Sequence, residues 1–237
     1  MTVPQGPRPS APSSRHHAGV PALTSEQARR VYDRIGRAQD WQRFYEDAAT
    51  ADLGAHARFD TSHMVVELGC GTGQFGAALV ARHLPVDAAY VGVDLSPRMV
   101  ALASHRMRPW RARATVSLVD GEATIPVADD AADRFVANYV FDLLGPEETR
   151  AALNEARRVL ASAGLLCAAG LTFGESGIAK FVSRAWTGVW TRWPALVGGC
   201  RPVRLVDALD PSAWDVRHRG TVVAWGIASE IVIAARR

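Results

Sequence analysis

Apolar residues recur at every third or fourth position in the first part of the chain, which is the spacing of an amphipathic helix. The pattern predicts two helices, one beginning at Ser25 and one over residues 40–53. The apolar face of the second helix comprises Trp41, Phe44, Tyr45 and Ala48. The residues before Ser25 are rich in Pro, Ser and Gly and contain no apolar run, so we interpret residues 1–23 as a flexible tail.

After Phe59, short apolar runs alternate with amphipathic stretches, which indicates βαβ units and a parallel sheet. The strands predicted by this alternation cover residues 64–68, 89–94, 114–119, 134–138 and 164–171. The clearest helix begins at Pro146 and is expected to end at Gly164, because proline favours the first helical position and glycine the position after the last.

Beyond Leu171, a stripe of apolar residues at helical spacing predicts a long amphipathic helix over residues 178–193. Its three tryptophans pack on the sheet, which the unbroken stripe favours, or line an acceptor pocket. A third possibility is that the helix contacts a membrane surface through its basic residues. The tryptophans are Trp186, Trp190 and Trp193, and the basic residues are Lys180, Arg184 and Arg192. Two β-rich runs at 214–224 and 229–235 then predict a C-terminal hairpin, in which we interpret His218 as structural.

The composition is typical of a globular protein and argues against a membrane-spanning, disulfide-rich or zinc-binding chain. Of the 237 residues, 48% are hydrophobic and 22% charged, as in a chain that forms one packed domain. No apolar run approaches the roughly 20 residues of a membrane-spanning helix. Three cysteines without metal-type spacing argue against a disulfide framework or a zinc site, so we expect a cytoplasmic protein that binds no metal.

The net charge of +3 is too small to indicate a nucleic-acid partner. One basic cluster surrounds Pro109 and Trp110, and we interpret it as a solvated connector rather than a patch for phosphates or acidic lipid. The cluster comprises Arg106, Arg108, Arg111 and Arg113.

The most informative segment, residues 65–76, reads Val-Val-Glu-Leu-Gly-Cys-Gly-Thr-Gly-Gln-Phe-Gly. An apolar strand enters a glycine-rich turn that opens a helix, so a ligand is expected at the carboxyl end of the first strand. Gly71, Gly73 and Gly76 also satisfy the dinucleotide fingerprint, with Asp94 near the position of its ribose-binding acid. The glycines alone therefore leave the ligand open.

Three acidic residues favour S-adenosylmethionine over a dinucleotide. Glu67 precedes the first glycine by two residues, where a carboxylate would repel a pyrophosphate but suits the ammonium and sulfonium groups. Asp94 ends the second strand and can accept both ribose hydroxyls, and Asp120 follows the third strand, near the adenine. The Tyr-x-x-x-Lys pair of short-chain dehydrogenases is excluded, because the only lysine, Lys180, has Ser176 four residues before it.

With three further motifs, these features resemble class I S-adenosylmethionine-dependent methyltransferases, in the small-molecule group with the quinone and phospholipid enzymes (methyltransferase type 11). The further motifs lie at residues 92–99, 120–130 and 158–164. The resemblance implies a Rossmann-like three-layer α/β sandwich. Its seven-stranded, mostly parallel sheet would have the order 3-2-1-4-5-7-6 and a C-terminal antiparallel hairpin.

The resemblance also implies a set of site residues at the carboxyl edge of the sheet. The cofactor-binding residues would be Glu67, Gly69, Cys70, Gly71, Gly73, Asp94, Leu95, Met99, Asp120, Gly121, Asn138 and Tyr139. Asn138 and Tyr139 would face the methyl-transfer site. The candidates for a general base are Tyr32, Tyr139 and Asp142. Asn138 and Tyr139 are followed by Val140 and Phe141 and not by the prolines of amino-methylating DNA enzymes.

The predicted function is methyl transfer from S-adenosyl-L-methionine to a small-molecule or lipid acceptor by in-line displacement, leaving S-adenosyl-L-homocysteine. We expect residues 24–58 to form a helical lid, 59–171 the cofactor-binding core, and 172–237 the substrate-side helix and hairpin. No nucleic-acid partner is expected, whereas a peripheral membrane contact would suit a lipid acceptor. The alternatives are a non-catalytic S-adenosylmethionine-binding protein and an NAD-dependent oxidoreductase.

Overall fold

The computed structural model describes residues 43–120, 124–197 and 199–237. The predicted tail and the helix beginning at Ser25 lie outside these ranges. The helices of the described residues are α1 (Arg43–His56), α2 (Gln74–Arg82), α3 (Pro97–Met107), α4 (Pro146–Val159) and α5 (Gly177–Arg192). The strands are β1 (Met64–Leu68), β2 (Ala89–Asp94), β3 (Ala114–Leu118), β4 (Ala132–Asn138), β5 (Leu160–Leu171), β6 (Trp214–Ala224) and β7 (Ile227–Arg236).

The seven strands form one sheet in the order β3-β2-β1-β4-β5-β7-β6, which confirms the predicted Rossmann-like topology. Strands β1 to β5 pair in parallel, whereas β7 lies antiparallel between β5 and β6. The start of β7 returns to the carboxyl edge of the parallel strands, because Ser229 pairs with Leu171 at the end of β5. Candidate site residues after β1, β2, β4 and β5 therefore share one edge.

Both faces of the central strands are buried, which explains their nearly continuous apolar sequences. Side chains alternate between the faces, so Val66 and Phe135 join one core cluster and Val65 and Val136 the other. Helix α4 covers the first face, and α1 and α2 cover the second. Cys167 lies in the second cluster as a buried small apolar residue.

The predicted end of α4 at Gly164 is wrong. The helix ends at Val159, and Leu160 is already extended and pairs with Ala132 of β4. Leu160 is fully buried in the sheet, and this burial outweighs the local stop signal of the glycine. Gly164 lies within β5, where a Cβ would come 2.8 Å from Leu160 Cδ2 and 2.9 Å from the Ala132 carbonyl oxygen.

The predicted stripe of α5 is only partly buried. Trp190 is buried and Trp186 half-buried, but Ile178, Phe181 and Trp193 are exposed. Small residues turn a different face inward: Ala179 and Ser183 are buried, and the Ser183 hydroxyl accepts a hydrogen bond from the Gly174 amide at 3.2 Å. Trp186 packs against the cluster that contains Leu171 at the end of β5, whereas the exposure of Trp193 shows that the predicted packing of all three tryptophans on the sheet is wrong.

Helix α1 packs on the sheet along its length. Tyr45, Ala49 and Leu53 are buried at a spacing of four residues, whereas Phe44 and Ala48, both predicted to lie on the apolar face, are exposed. The C-terminal hairpin has the predicted two-residue turn, with Trp225 and Gly226 at φ 55° and 79°. Within the described ranges, no helix combines the length and the apolar character needed to cross a membrane.

Candidate functional site

A glycine loop connects β1 to α2 at the carboxyl edge of the sheet. Gly69, Gly71 and Gly73 all have positive φ, at 66°, 54° and 74°, which explains the alternating glycines. A Cβ on Gly69 would come 2.6 Å from Val140 Cγ2, so a side chain does not fit there. The buried Cys70 donates its amide hydrogen to the Val93 carbonyl at 3.0 Å and joins the loop to β2.

Asp94 bridges the glycine loop and the start of α3. Its two carboxylate oxygens accept hydrogen bonds at 2.9 Å, one from the Gly71 amide and one from the Ser96 amide. Ser96 caps the helix, because its hydroxyl accepts from the Met99 amide at 3.2 Å. The half-buried carboxylate is thus fixed against the loop, in the position that the sequence analysis assigned to the ribose ligand.

Arg106 of α3 stabilises the same loop, a role that the sequence analysis missed. Its guanidinium donates to the Thr72 carbonyl at 2.9 Å and to the Thr72 hydroxyl at 2.6 Å. Arg113 donates to carbonyl oxygens around the end of α2, including Val80 at 2.7 Å. The interpretation of the basic cluster as a solvated connector is therefore wrong for these two residues, whereas Arg108 is exposed.

Glu67 is buried below the loop and accepts a hydrogen bond from the Tyr90 hydroxyl at 2.5 Å. The pKa of Glu67 is raised to about 8, chiefly by burial; the Tyr90 hydrogen bond opposes this change and the nearby Asp94 adds a smaller increase. The sequence analysis did not identify Tyr90 as the partner. A contact between Glu67 and the cationic groups of a ligand stays a prediction.

Asn138 ends β4 beside the glycine loop, since Ala137 pairs with Leu68 of β1. Its amide oxygen and nitrogen are both buried, and neither has a hydrogen-bond partner among the described residues. An unsatisfied buried polar group costs about 1–3 kcal/mol, so such groups in folded proteins are usually paired with protein, water or ligand. This amide fits a polar ligand at the end of β4.

Two of the three predicted base candidates lie at this edge. The hydroxyl of Tyr139 lies 2.9 Å from Ser229 Oγ, and burial raises the pKa of Tyr139 well above its usual range. Asp142 is fully buried, accepts from the Leu171 amide at 3.4 Å, and has a pKa raised to about 7, chiefly by burial. Tyr32, the third candidate, lies outside the described residues.

The remaining predicted cofactor residues follow β2 and β3 in the sequence. Leu95 is half-buried and Met99 fully buried at the start of α3. Asp120 is exposed beyond β3, and Gly121 lies outside the described residues. The structure thus brings the described candidates to one edge of the sheet, although their contacts with a cofactor remain predictions.

An aromatic series leads from solvent to the end of β4. Trp225 and Phe44 are 81% and 54% exposed, whereas Tyr45 and Tyr139 are 3% and 8% exposed. Ring centroids are separated by 6.5 Å from Trp225 to Phe44, 5.1 Å from Phe44 to Tyr45, and 5.6 Å from Tyr45 to Tyr139. The sequence analysis missed this series because its members come from α1, the hairpin turn and the residue after β4.

Three features of this edge fit an adenosine-containing cofactor. They are the glycines of the loop, the Asp94 carboxylate at the end of β2 and the Asn138 amide at the end of β4. The strand order is that of the Rossmann-like methyltransferase fold. Residues 65–164 match the family described as the methyltransferase domain. The predicted class is thereby confirmed for this part of the chain.

One curated relative is carboxy-S-adenosyl-L-methionine synthase from Chromohalobacter salexigens. It is 35% identical over 112 residues, which cover 47% of this chain and 40% of the relative. The chain thus matches less than half the length of that protein.

Solved structures share the fold at low sequence identity. The [4+2]-cyclase SpnF has a TM-score of 0.68 and 19% identity, over 92% of this chain and 99% of its own. Geranyl diphosphate C-methyltransferase from Streptomyces coelicolor A3(2) has a TM-score of 0.60 and 14% identity, over 81% of this chain and 76% of its own. That structure contains Mg²⁺, geranyl-S-thiolodiphosphate and S-adenosyl-L-homocysteine.

Proposed function

We propose that this protein binds S-adenosylmethionine at the glycine loop and transfers its methyl group to an apolar small-molecule or lipid acceptor. The observation that carries the proposal is the contact between the Asp94 carboxylate and the Gly71 amide at 2.9 Å. It orients an acidic side chain beside a backbone cradle, so that one site offers acceptors for ribose hydroxyls and room for the methionine part.

In this proposal, Gly69 and Gly71 lie against the methionine part of the cofactor and Asp94 accepts the two ribose hydroxyls. Leu95 and Met99 supply apolar contact to the adenine. The bound cofactor supplies a methyl group on a sulfonium sulfur, from which a neutral thioether departs. The Asn138 amide would find in the bound ligand the polar partner that the described residues do not offer it.

The contribution of the protein to the reaction would be positioning and exclusion of water. Tyr139 is a poor base, because its hydroxyl is bonded to Ser229 and its raised pKa keeps it neutral. Asp142 has a pKa of about 7, suited to proton transfer, but it is fully buried. We therefore propose that neither residue abstracts a proton from the acceptor and that both hold the end of β4 in place.

The aromatic series Trp225, Phe44, Tyr45 and Tyr139 supports an apolar acceptor. Its two exposed members offer stacking and apolar contact area at the carboxyl edge, where water would otherwise meet an entering molecule. A small crevice lies between α5, the end of β5 and the start of β7, and two of its lining residues, Trp186 and Ile227, pack against the cluster that contains Tyr45 and Tyr139. The acceptor would enter along these rings and meet the methyl group near Asn138.

The experiment is an acceptor screen with methyl-labelled S-adenosylmethionine, in which phenols, quinols, prenyl compounds and fatty-acyl lipids are compared with polar amines. We expect acceptor-dependent formation of S-adenosylhomocysteine and label transfer with apolar acceptors. Phe44→Ser and Trp225→Ser should raise the acceptor KM. Val86→Ser is the control, because Val86 is 89% exposed but precedes β2, at the opposite edge. A preference for polar acceptors, or equal effects of all three substitutions, would contradict the proposal.

A second candidate function is use of the cofactor site without methyl transfer. It is favoured by two comparisons, since one relative is named a carboxy-S-adenosyl-L-methionine synthase and one structural neighbour a [4+2]-cyclase. Tight binding of S-adenosylhomocysteine, with no label transfer to any acceptor class, would support this candidate over the first.

A further inference from the structure

Two histidines and an aspartate meet on the outer part of the sheet, away from the glycine loop. Asp52 and His56 lie one turn apart on α1, and His218 lies on β6. His56 Nδ1 is 2.9 Å from Asp52 Oδ1, and His218 Nε2 is 3.4 Å from Asp52 Oδ2. The two imidazole rings stack with centroids 3.7 Å apart and planes at 11°.

These three side chains have the chemistry and spacing of metal ligands. One ligand atom from each lies within 4.8 Å of the other two. Zinc binds imidazole nitrogen and carboxylate oxygen at about 2.0–2.2 Å, which separates ligand atoms of a tetrahedral site by about 3.4 Å. His56 Nδ1 also lies 2.9 Å from the Asp52 carbonyl oxygen, so an ion would replace this contact. The stacked rings would rotate until both ring nitrogens point at the ion.

Gly220 provides an independent observation. A Cβ at this position would come 2.8 Å from Asp52 Oδ2 and 3.2 Å from His218 Nε2. Gly220 is not among the glycines with positive φ, so the backbone does not require glycine there. Glycine inside a strand weakens it and often marks a close approach by a ligand or another backbone. The absence of a Cβ lets Asp52 and His218 pack directly against the strand backbone, which fixes two of the three ligand atoms.

The cluster is separate from the proposed cofactor site. Strand β6 is the edge strand, and β4, β5 and β7 lie between it and β1, which carries the glycine loop. His218 pairs with Ile233 in the middle of the hairpin. An ion here would therefore not contact the reacting groups.

We propose that Asp52, His56 and His218 bind one divalent first-row transition ion, of which Zn²⁺ is the representative. Imidazole and carboxylate ligands suit Zn²⁺, Ni²⁺ and Cu²⁺ rather than Mg²⁺ or Ca²⁺. Three protein ligands leave a coordination position for water, and the partial exposure of His56 gives access to solvent. The ion would join α1 to the edge strand and so hold Tyr45 beside Tyr139. This proposal differs from the expectation, drawn from cysteine spacing, that no metal is bound.

The test is metal binding to tag-free full-length protein that has been dialysed against a chelator. We expect calorimetry to give one Zn²⁺ site per chain, and Co²⁺ to give visible absorption bands of a nitrogen and oxygen ligand set. Zn²⁺ should also raise the melting temperature. His56→Gln and His218→Gln should each weaken Zn²⁺ binding at least tenfold and abolish the thermal shift.

Matched variants distinguish this site from other histidines. His105→Gln changes an exposed histidine on α3 and should leave Zn²⁺ affinity unchanged. The adjacent His16 and His17 are a second possible metal-binding pair, so their double replacement by glutamine should also leave it unchanged. Gly220→Ala retains all three ligands, yet should weaken binding because its methyl group would displace Asp52 and His218. The proposal is overturned if wild-type protein binds no Zn²⁺, or if binding survives His218→Gln and disappears with the His16 and His17 replacements.

Discussion

Replacement of Asp94 by alanine removes the carboxylate that accepts the Gly71 and Ser96 amide hydrogens at 2.9 Å. In the proposed complex the same carboxylate accepts two ribose hydroxyls. Hydrogen bonds to a charged group contribute about 1.5–3 kcal/mol, so Asp94→Ala should weaken S-adenosylhomocysteine binding about ten- to a hundredfold. Calorimetric titration of both proteins measures this ratio. An unchanged dissociation constant would refute the assignment of Asp94 to the ribose.

Asp133→Ala is the matched control for this experiment. Asp133 Oδ2 also accepts two backbone amides, from His63 at 2.6 Å and Met64 at 2.9 Å, but at the amino end of β1. Each substitution deprives two amides of their acceptor and should lower the free energy of unfolding by about 1–3 kcal/mol. Only Asp94→Ala should change cofactor affinity. Equal weakening by both would show that lost stability, and not a lost ribose contact, is responsible.

Three further perturbations test the loop contact of Arg106, the burial of Glu67 and the packing of α1. Arg106→Ala should raise the dissociation constant for S-adenosylhomocysteine severalfold by releasing the glycine loop, whereas Arg108→Ala, at an exposed position, should not. Because the folded-state pKa of Glu67 is raised from 4.5 to about 8, the free energy of unfolding should fall by a few kcal/mol as pH rises through that window. Urea titrations should show Glu67→Gln flattening this fall; an unchanged pH profile would contradict it. Deletion of residues 1–21 should leave the melting temperature unchanged. Deletion of residues 1–53 should lower it sharply, because it removes fully buried side chains of α1. Equal melting temperatures of the two deletion variants would contradict the packing of α1.

The parallel sheet was predictable because both of its faces are buried. The bounds of β1 and β2 agree with the apolar runs at 64–68 and 89–94, and the Trp225-Gly226 turn agrees with the hairpin. Sequence signals for the ends of helices gave a wrong prediction where burial in the sheet opposed them. Gly164 is a good helix stop, yet α4 ends five residues earlier because Leu160 belongs to the sheet core.

The contacts that shape the sites were not predictable, since they join residues far apart in the chain. Arg106 and Thr72 are 34 positions apart, Glu67 and Tyr90 are 23 apart, and the pair of His218 with Asp52 spans 166 positions. Hydrophobic periodicity reports which face of an element is buried but not which polar groups meet across elements. The glycine loop was predictable because the residues that form it are neighbours in the sequence.

The central claim is that the glycine loop binds S-adenosylmethionine and its product, and not a dinucleotide. Isothermal titration of the purified protein with S-adenosylhomocysteine, followed by the same titration with NAD, tests it most directly. We expect saturable binding of one S-adenosylhomocysteine per chain and no heat of binding with NAD. Binding of NAD without any response to S-adenosylhomocysteine would contradict the account.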